Sequence, residues 1–222
     1  MEAVFVIAET DGETLTFTTT ETANDDKGLA LNLSRNNSVI DRAVVRFGEG
    51  RTLPKFQLNP NHTKVYIPMD GNDYAVVRSE EVGEMPVSFK AENNGSYTLS
   101  FSTENVEFGY LHLIDNMTGA NVDLLVNPSY SFEAKTTDYA SRFKLVFATG
   151  NTDDNFAFYS NGSFVVSNDG NATLQVVDVN GRILKSESIN GCTNLNMNVA
   201  TGVYMLRLIN GENVKVQKVV VR

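Results

Sequence analysis

The 222-residue chain has two histidines and one cysteine, so acid–base or nucleophilic chemistry would have to come from His62, His112, Cys192 or carboxylates. His62 lies in the turn sequence Asn59-Pro60-Asn61-His62, where a histidine is solvated. His112 shares a strand phase with Tyr110 and Ile114, where the ring is satisfied within a sheet. Cys192 follows the turn pair Asn190-Gly191, far in sequence from either histidine, and reads as a small half-buried side chain rather than a thiolate with its base. Neither Gly-x-Ser-x-Gly nor His-Glu-x-x-His occurs. A glycosidase needs only two carboxylates across a cleft, yet the adjacent pair Glu80-Glu81 points to opposite faces of a strand. Asp70 to Asp73 and Asp153 to Asn155 are oxygen-rich, but they lack the spaced acidic pattern of a calcium loop and read as turns. Gly48-Glu49-Gly50-Arg51 runs into Pro54 rather than a helix, which argues against a phosphate cradle. No catalytic, cofactor-binding or metal-ligating set is expected, and the chain reads as a non-enzyme.

The net charge is −9, and residues 1–150 hold all of the excess, with 21 acidic and 12 basic side chains, against 6 of each in residues 151–222. Binding a phosphate backbone requires clustered Lys and Arg that release counterions, so nucleic acid is not an expected partner. No apolar run approaches the roughly 20 residues of a spanning helix. One cysteine allows no intramolecular disulfide, so sheet packing must supply the stability. Trp is absent, and a sugar platform in the first 150 residues would rest on Tyr66, Tyr74, Tyr110, Tyr130 and Tyr139, most of which read as strand-core positions.

The elements positioning these residues read as strands throughout. Leu29, Leu31 and Leu33 alternate with Ala30 and Asn32, and Tyr97, Leu99 and Phe101 alternate with Thr98 and Ser100. Further strands are expected over residues 4–8, 15–20, 39–47, 65–67, 74–78, 87–91, 110–115, 122–126, 130–134 and 143–147, with a surface loop over 48–61. Turn signals recur at the 8 to 12 residue spacing of a β-sandwich, and no window sustains a helical period.

The last stretch is the most explicit. Leu174 to Val179 and Ile183 to Ile189 flank Asn180-Gly181, a two-residue hairpin signal. Tyr204, Leu206 and Leu208 share one face of the next strand, which Asn210-Gly211 turns back. In the closing run Val214 and Val216 fall on one phase and Val219 and Val221 on the other, which predicts a bulge near Gln217-Lys218 or burial on both faces.

Val176 to Arg182 (Val-Val-Asp-x-x-Gly-Arg), Gly202-Val203-Tyr204 and the Lys-Val-Val-Val-Arg ending at Lys218 to Arg222 together resemble the C-terminal sorting domain of Bacteroidetes type IX secretion, the Por secretion system type. The resemblance covers roughly residues 151–222, although Asn155 to Val166 stands where the family commonly has a Pro-rich opening. It implies a small Ig-like β-sandwich serving as export address, with Asp178, Gly181, Arg182, Gly202, Tyr204 and Lys218 as the sorting motif. Gly202-Val203-Tyr204 and the final strand are the expected contacts with the export machinery, or else structural positions. Leu113-Ile114-Asp115-Asn116-x-Thr118-Gly119 and Ser141-Arg142-Phe143 resemble, less specifically, the β-sandwich that often precedes this domain in large Bacteroidetes surface proteins.

Together these readings predict an all-β chain of two tandem antiparallel β-sandwiches. Residues 1–150 form an acidic domain and residues 151–222 a small Ig-like one, with the boundary in the polar segment Thr149 to Asn155 and the two in contact. The expected protein is a monomer, secreted or held on the outer surface of a Gram-negative bacterium. Secretion machinery would be the partner of residues 151–222, and a glycan or protein ligand that of an adhesive or structural first domain. Carbohydrate binding beside a secreted enzyme is the alternative. Val4 to Ala8 is too short for a signal-peptide core, so the signal and further domains are expected upstream.

Overall fold

A computed structural model of the protein describes residues 27–56, 59, 61–149 and 156–222. The strands expected at 4–8 and 15–20, the oxygen-rich Asp153 to Asn155 and most of the boundary segment lie outside the described residues. The described residues are all-β, with no helix among them.

The first eleven strands are β1 (Gly28–Arg35), β2 (Ser38–Phe47), β3 (Leu53–Pro54), β4 (Lys64–Met69), β5 (Asn72–Ser79), β6 (Val82–Lys90), β7 (Gly95–Glu104), β8 (Phe108–Asp115), β9 (Asn121–Asp123), β10 (Ser129–Ala134) and β11 (Phe143–Thr149). They form one hydrogen-bonded path, β10-β7-β1-β2-β5-β4-β6-β11-β8-β9, with β3 beside β5. The path folds back on itself until it is nearly barrel-like. Phe132 on β10, at one end, meets Phe143 on β11 and Phe89 on β6 at centroid distances of 4.9 and 5.1 Å. Phe47 on β2 meets Phe147 on β11 at 5.6 Å.

β4 makes the corner. Its residues 67–69 pair with β5 while residues 64–66 pair with β6, the way a strand switches between layers. Asp41 pins that corner, accepting from the Val65 backbone N–H at 2.8 Å and from Lys55 Nζ at 2.7 Å. Asp41 is thus half-buried. β2 and β5 run parallel, which departs from a wholly antiparallel arrangement. The expected loop at 48–61 contains β3, and the expected strand at 122–126 is only β9 followed by a turn.

Seven strands follow: β12 (Ala157–Ser160), β13 (Ser163–Val166), β14 (Asn171–Asp178), β15 (Ile183–Asn190), β16 (Thr193–Asn196), β17 (Gly202–Asn210) and β18 (Asn213–Val221). They make a three-stranded sheet, β12-β13-β16, and a four-stranded one, β15-β14-β17-β18. Phe156, Phe164 and Leu195 from the first side and Leu174, Val176, Leu206, Leu208, Val219 and Val221 from the second share one buried cluster. The large core of β1 to β11 is a separate cluster, running from Leu29 to Phe147. Between them Val146, Ala148 and Val165 form a small junction.

β18 runs against β17 without a register shift, so the expected bulge is absent. Gln217, Val219 and Val221 face inward, and Val214, Val216 and Val220 are simply exposed on the other face. Gln217 faces β12, where its side-chain amide both accepts from the Ala157 N–H (2.7 Å) and donates to the Ala157 carbonyl (2.8 Å). The β17–β18 turn sits one residue later than the sequence signal, on Gly211-Glu212 between the paired Asn210 and Asn213. Only Gly211 has positive φ there, which suits a type II′ hairpin.

Candidate functional site

Asp178, Gly181 and Arg182 form one closed clasp at the β14–β15 connection. The loop is Val179-Asn180-Gly181 rather than a two-residue turn, because Gly181 N–H donates to the Asp178 carbonyl and Asp178 N–H to the Arg182 carbonyl, each at 3.0 Å. Gly181 alone is left-handed, at φ 80°, the three-residue hairpin geometry of a turn followed by a glycine bulge. The Asp178 carboxylate decides this. Its Oδ1 accepts from the backbone N–H of Asn180 (3.0 Å) and Arg182 (2.9 Å), and its Oδ2 from Arg182 Nε (3.0 Å) and a terminal guanidinium nitrogen (2.9 Å). The Asp-x-x-Gly-Arg spacing is what such a clasp requires: acceptor, two loop residues, a left-handed glycine, and a side chain that returns to the acceptor.

The Arg182 backbone N–H, aided by the Asn180 N–H and the Arg182 side chain, holds the Asp178 carboxyl below its usual range. A depressed folded pKa stabilises above the unfolded value and is lost as pH falls through the folded one. Acidification should therefore lower the exchange protection factors of the Asn180 and Arg182 amides, corrected for the intrinsic pH dependence, and Asp178→Ala should lower them at neutral pH. Unchanged protection factors by NMR would contradict the clasp.

The other motif residues serve the core and the face beside it. Tyr204 is buried, opposite Asp178 in register, and its hydroxyl donates to the Ala200 carbonyl at 2.9 Å. Tyr97 does the same toward the Asn93 carbonyl at 2.6 Å near the start of β7. Both are tyrosine corners, tying a strand start to the backbone four residues earlier. Gly202 has ordinary φ, and a Cβ there would lie no closer than 3.8 Å to its neighbours. Nothing in its surroundings demands glycine.

Lys218 stands on the outward face of the four-stranded sheet. Register puts it in a row with Met205 and Val177, beside the rows Val216–Arg207–Gln175 and Val214–Ile209–Thr173 and the pair Val220–Val203. Three of these valines are about half exposed, Val214 48%, Val216 54% and Val220 49%, and the only charges in the rows are Lys218 and Arg207. These rows carry two cations and no carboxylate, on a chain of net charge −9. Sequence reasoning named Lys218 but not its neighbours; the alternating valines were the available signal.

The residues weighed for catalysis stand on different segments, His62 before β4, His112 on β8 and Cys192 between β15 and β16. His112 Nδ1 pairs with Asn121 Oδ1 at 2.8 Å and its ring stacks on Tyr110 at 4.1 Å. His62 is exposed, 3.6 Å from Glu92. Cys192 packs against Gly109, where an added Cβ would fall 1.9 Å from its Sγ. Asp70 and Gly71 form the β4–β5 turn with positive φ at both, and Asp73 pairs with Lys64 at 3.6 Å. Of the tyrosines considered for a sugar platform, Tyr66 is buried, Tyr74, Tyr110 and Tyr130 are half-buried, and Tyr139 is exposed.

The two first-domain segments singled out in the sequence meet through Asp115 and Arg142, which are 1% and 3% exposed. Arg142 donates to Asp115 from Nε (3.1 and 3.2 Å) and a terminal nitrogen (2.9 Å), and to the Glu133 carbonyl at 2.8 Å. The Tyr130 hydroxyl (3.0 Å) and the Met117 N–H (2.9 Å) complete the shell around Asp115. The guanidinium lies over Phe132 at 4.6 Å and Phe143 at 5.2 Å. Both segments are thus parts of one buried clamp.

No curated protein is significantly similar to the chain. Residues 160–222, which hold the clasp, the tyrosine corner at Tyr204 and the outward face with Lys218, match the family described as the secretion system C-terminal sorting domain, and such a tail suggests an exported protein addressed to type IX secretion.

Proposed function

We propose that the chain is an exported bacterial surface protein in which residues 151–222 are an Ig-like sorting domain and residues 1–150 a non-enzymatic β-sandwich of structural or adhesive role. The observation that carries this is the coincidence of the family match at 160–222 with a separately packed cluster running from Phe156 to Val221. Three strands facing four, with a tyrosine corner at the start of β17, support the Ig-like assignment. The motif divides its labour. Asp178, Gly181, Arg182 and Tyr204 shape the domain, and Lys218 with Arg207 and the exposed valines presents the face that the export machinery reads. Engagement of Asp115 with Arg142 and of His112 with Asn121 supports a structural first domain.

The test is mass spectrometry of the protein recovered from cell surface and medium of its native cell. Recovery outside the cell is expected, ending either near the domain boundary, if the tail is removed, or at Arg222, if it is kept. Recovery only from periplasm or cytoplasm would refute the reading.

A further inference from the structure

β8 turns Tyr110 and Ile114 outward, β11 adds Val146, and the β12–β13 hairpin and β16 bring Ser160, Asn161, Ser163, Val165, Asn194 and Asn196 against them. With Asn121 these residues line a crevice of about 200 Å³ between the two hydrophobic cores. Four asparagine amides stand on it, each with one end already tied. Asn121 Oδ1 pairs with His112 Nδ1 (2.8 Å), Asn161 Oδ1 accepts from Lys144 Nζ (3.2 Å), and Asn196 Oδ1 accepts from Ser163 Oγ (2.6 Å). Asn194 Nδ2 donates to the Tyr110 hydroxyl (3.3 Å). Each amide is oriented by the end it has used. What remains, among the described residues, is three NH₂ groups and one amide carbonyl, together with the Tyr110 O–H proton.

The chemistry of this lining selects its ligand. Lys144 is paired with Glu84 at 3.1 Å and Ser160 Oγ also donates to Glu84, while Asp123, opposite His112 in register, places a carboxylate within electrostatic reach of Tyr110. An anionic ligand would be repelled by Asp123, and an apolar one would strip water from the amides and leave them unpaired. The Tyr110 ring is stacked on His112 with planes 10° apart, Val146 and Val165 are buried behind the lining, and the surface the crevice presents is mostly polar. Oriented amide donors, an amide acceptor and the Tyr110 hydroxyl match the ring of hydroxyl groups on a saccharide. The volume is below the roughly 300 Å³ of a pocket for a drug-sized molecule, room for one or two rings.

We propose that this crevice binds a short neutral saccharide, held by the Asn121, Asn161, Asn194 and Asn196 amides against Tyr110. The proposal does not rest on the sorting role: an exported chain that binds no sugar would refute this site alone. Because β8 and β11 on one side and β13 and β16 on the other contribute to the lining, an occupied crevice also ties the tail to the body that precedes it.

The test is an NMR titration of the full ¹⁵N-labelled chain with glucose, galactose, mannose and N-acetylglucosamine, with glucuronate as the charged control. Saturable shifts of the Asn121, Asn161 and Asn196 side-chain NH₂ signals are expected with at least one neutral sugar, at the roughly millimolar Kd usual for so small a ligand. Asn121→Ala and Asn196→Ala should each weaken binding about tenfold or more while the spectrum stays dispersed. Absence of a saturable shift with all four sugars, unchanged affinity in both variants, or equal binding of glucuronate would each overturn the proposal.

Discussion

Replacing Arg142 with alanine is expected to cost about 3 to 5 kcal/mol, the effect of leaving a buried charge without its partner. That is a large share of the roughly 5 to 15 kcal/mol that holds a domain together. The loss is large because Arg142 closes three contacts at once. It saturates Asp115, satisfies the Glu133 carbonyl, and covers the rings of Phe132 and Phe143. Lysine should not rescue it, since a point charge cannot supply a planar fork to two acceptors. Burial pushes the Asp115 carboxyl up, but hydrogen bonds from Arg142, the Met117 N–H and Tyr130 outweigh burial and hold it below its ordinary range. Its stabilisation is complete above the unfolded-state pKa and disappears as pH falls through the depressed folded value. In Arg142→Ala only the burial and weaker bonds remain, so Asp115 protonates more readily and the gap from wild type should narrow toward acid. Urea unfolding of both proteins across pH measures this. A loss under about 1 kcal/mol at neutral pH would mean that the pair is not a clamp.

Removal of residues 160–222 should abolish export while leaving the first unit folded. The core from Leu29 to Phe147 contains no residue from the tail, so its packing survives. What the deletion uncovers is the small junction of Val146, Ala148, Tyr110 and Ile114. The truncated chain, expressed in the native cell, is therefore expected to accumulate in the periplasm in folded form, with little outside. Cell fractionation with immunoblotting reads the outcome, and protease resistance of the periplasmic pool separates loss of address from loss of fold. Undiminished export of the truncated chain would count against an address in the tail.

Strand alternation was legible wherever one face meets the core and the other is polar, as at Leu29, Leu31 and Leu33 or Tyr204, Leu206 and Leu208. It misled at Val214 and Val216, because apolar residues on an exposed face imitate a change of phase. The Asn180-Gly181 signal located the hairpin but not its form, since the Asp178 carboxylate captures the Asn180 and Arg182 amides and converts the loop to three residues. The Asp115 and Arg142 segments each stood out, yet nothing local says that residues 27 apart will meet in a core. The parallel β2–β5 pair, the layer switch within β4 and the amides of the crevice depend on chain segments that only the fold brings together.

The most direct measurement is a transplant, with residues 151–222 fused behind a passenger that by itself stays in the periplasm of a cell with type IX machinery. The passenger should move to the surface or medium, and Val216→Glu with Lys218→Glu on the outward face should return it to the periplasm with the tail still folded. A passenger that remains periplasmic with the intact tail would contradict the assignment of residues 151–222 as a sorting domain.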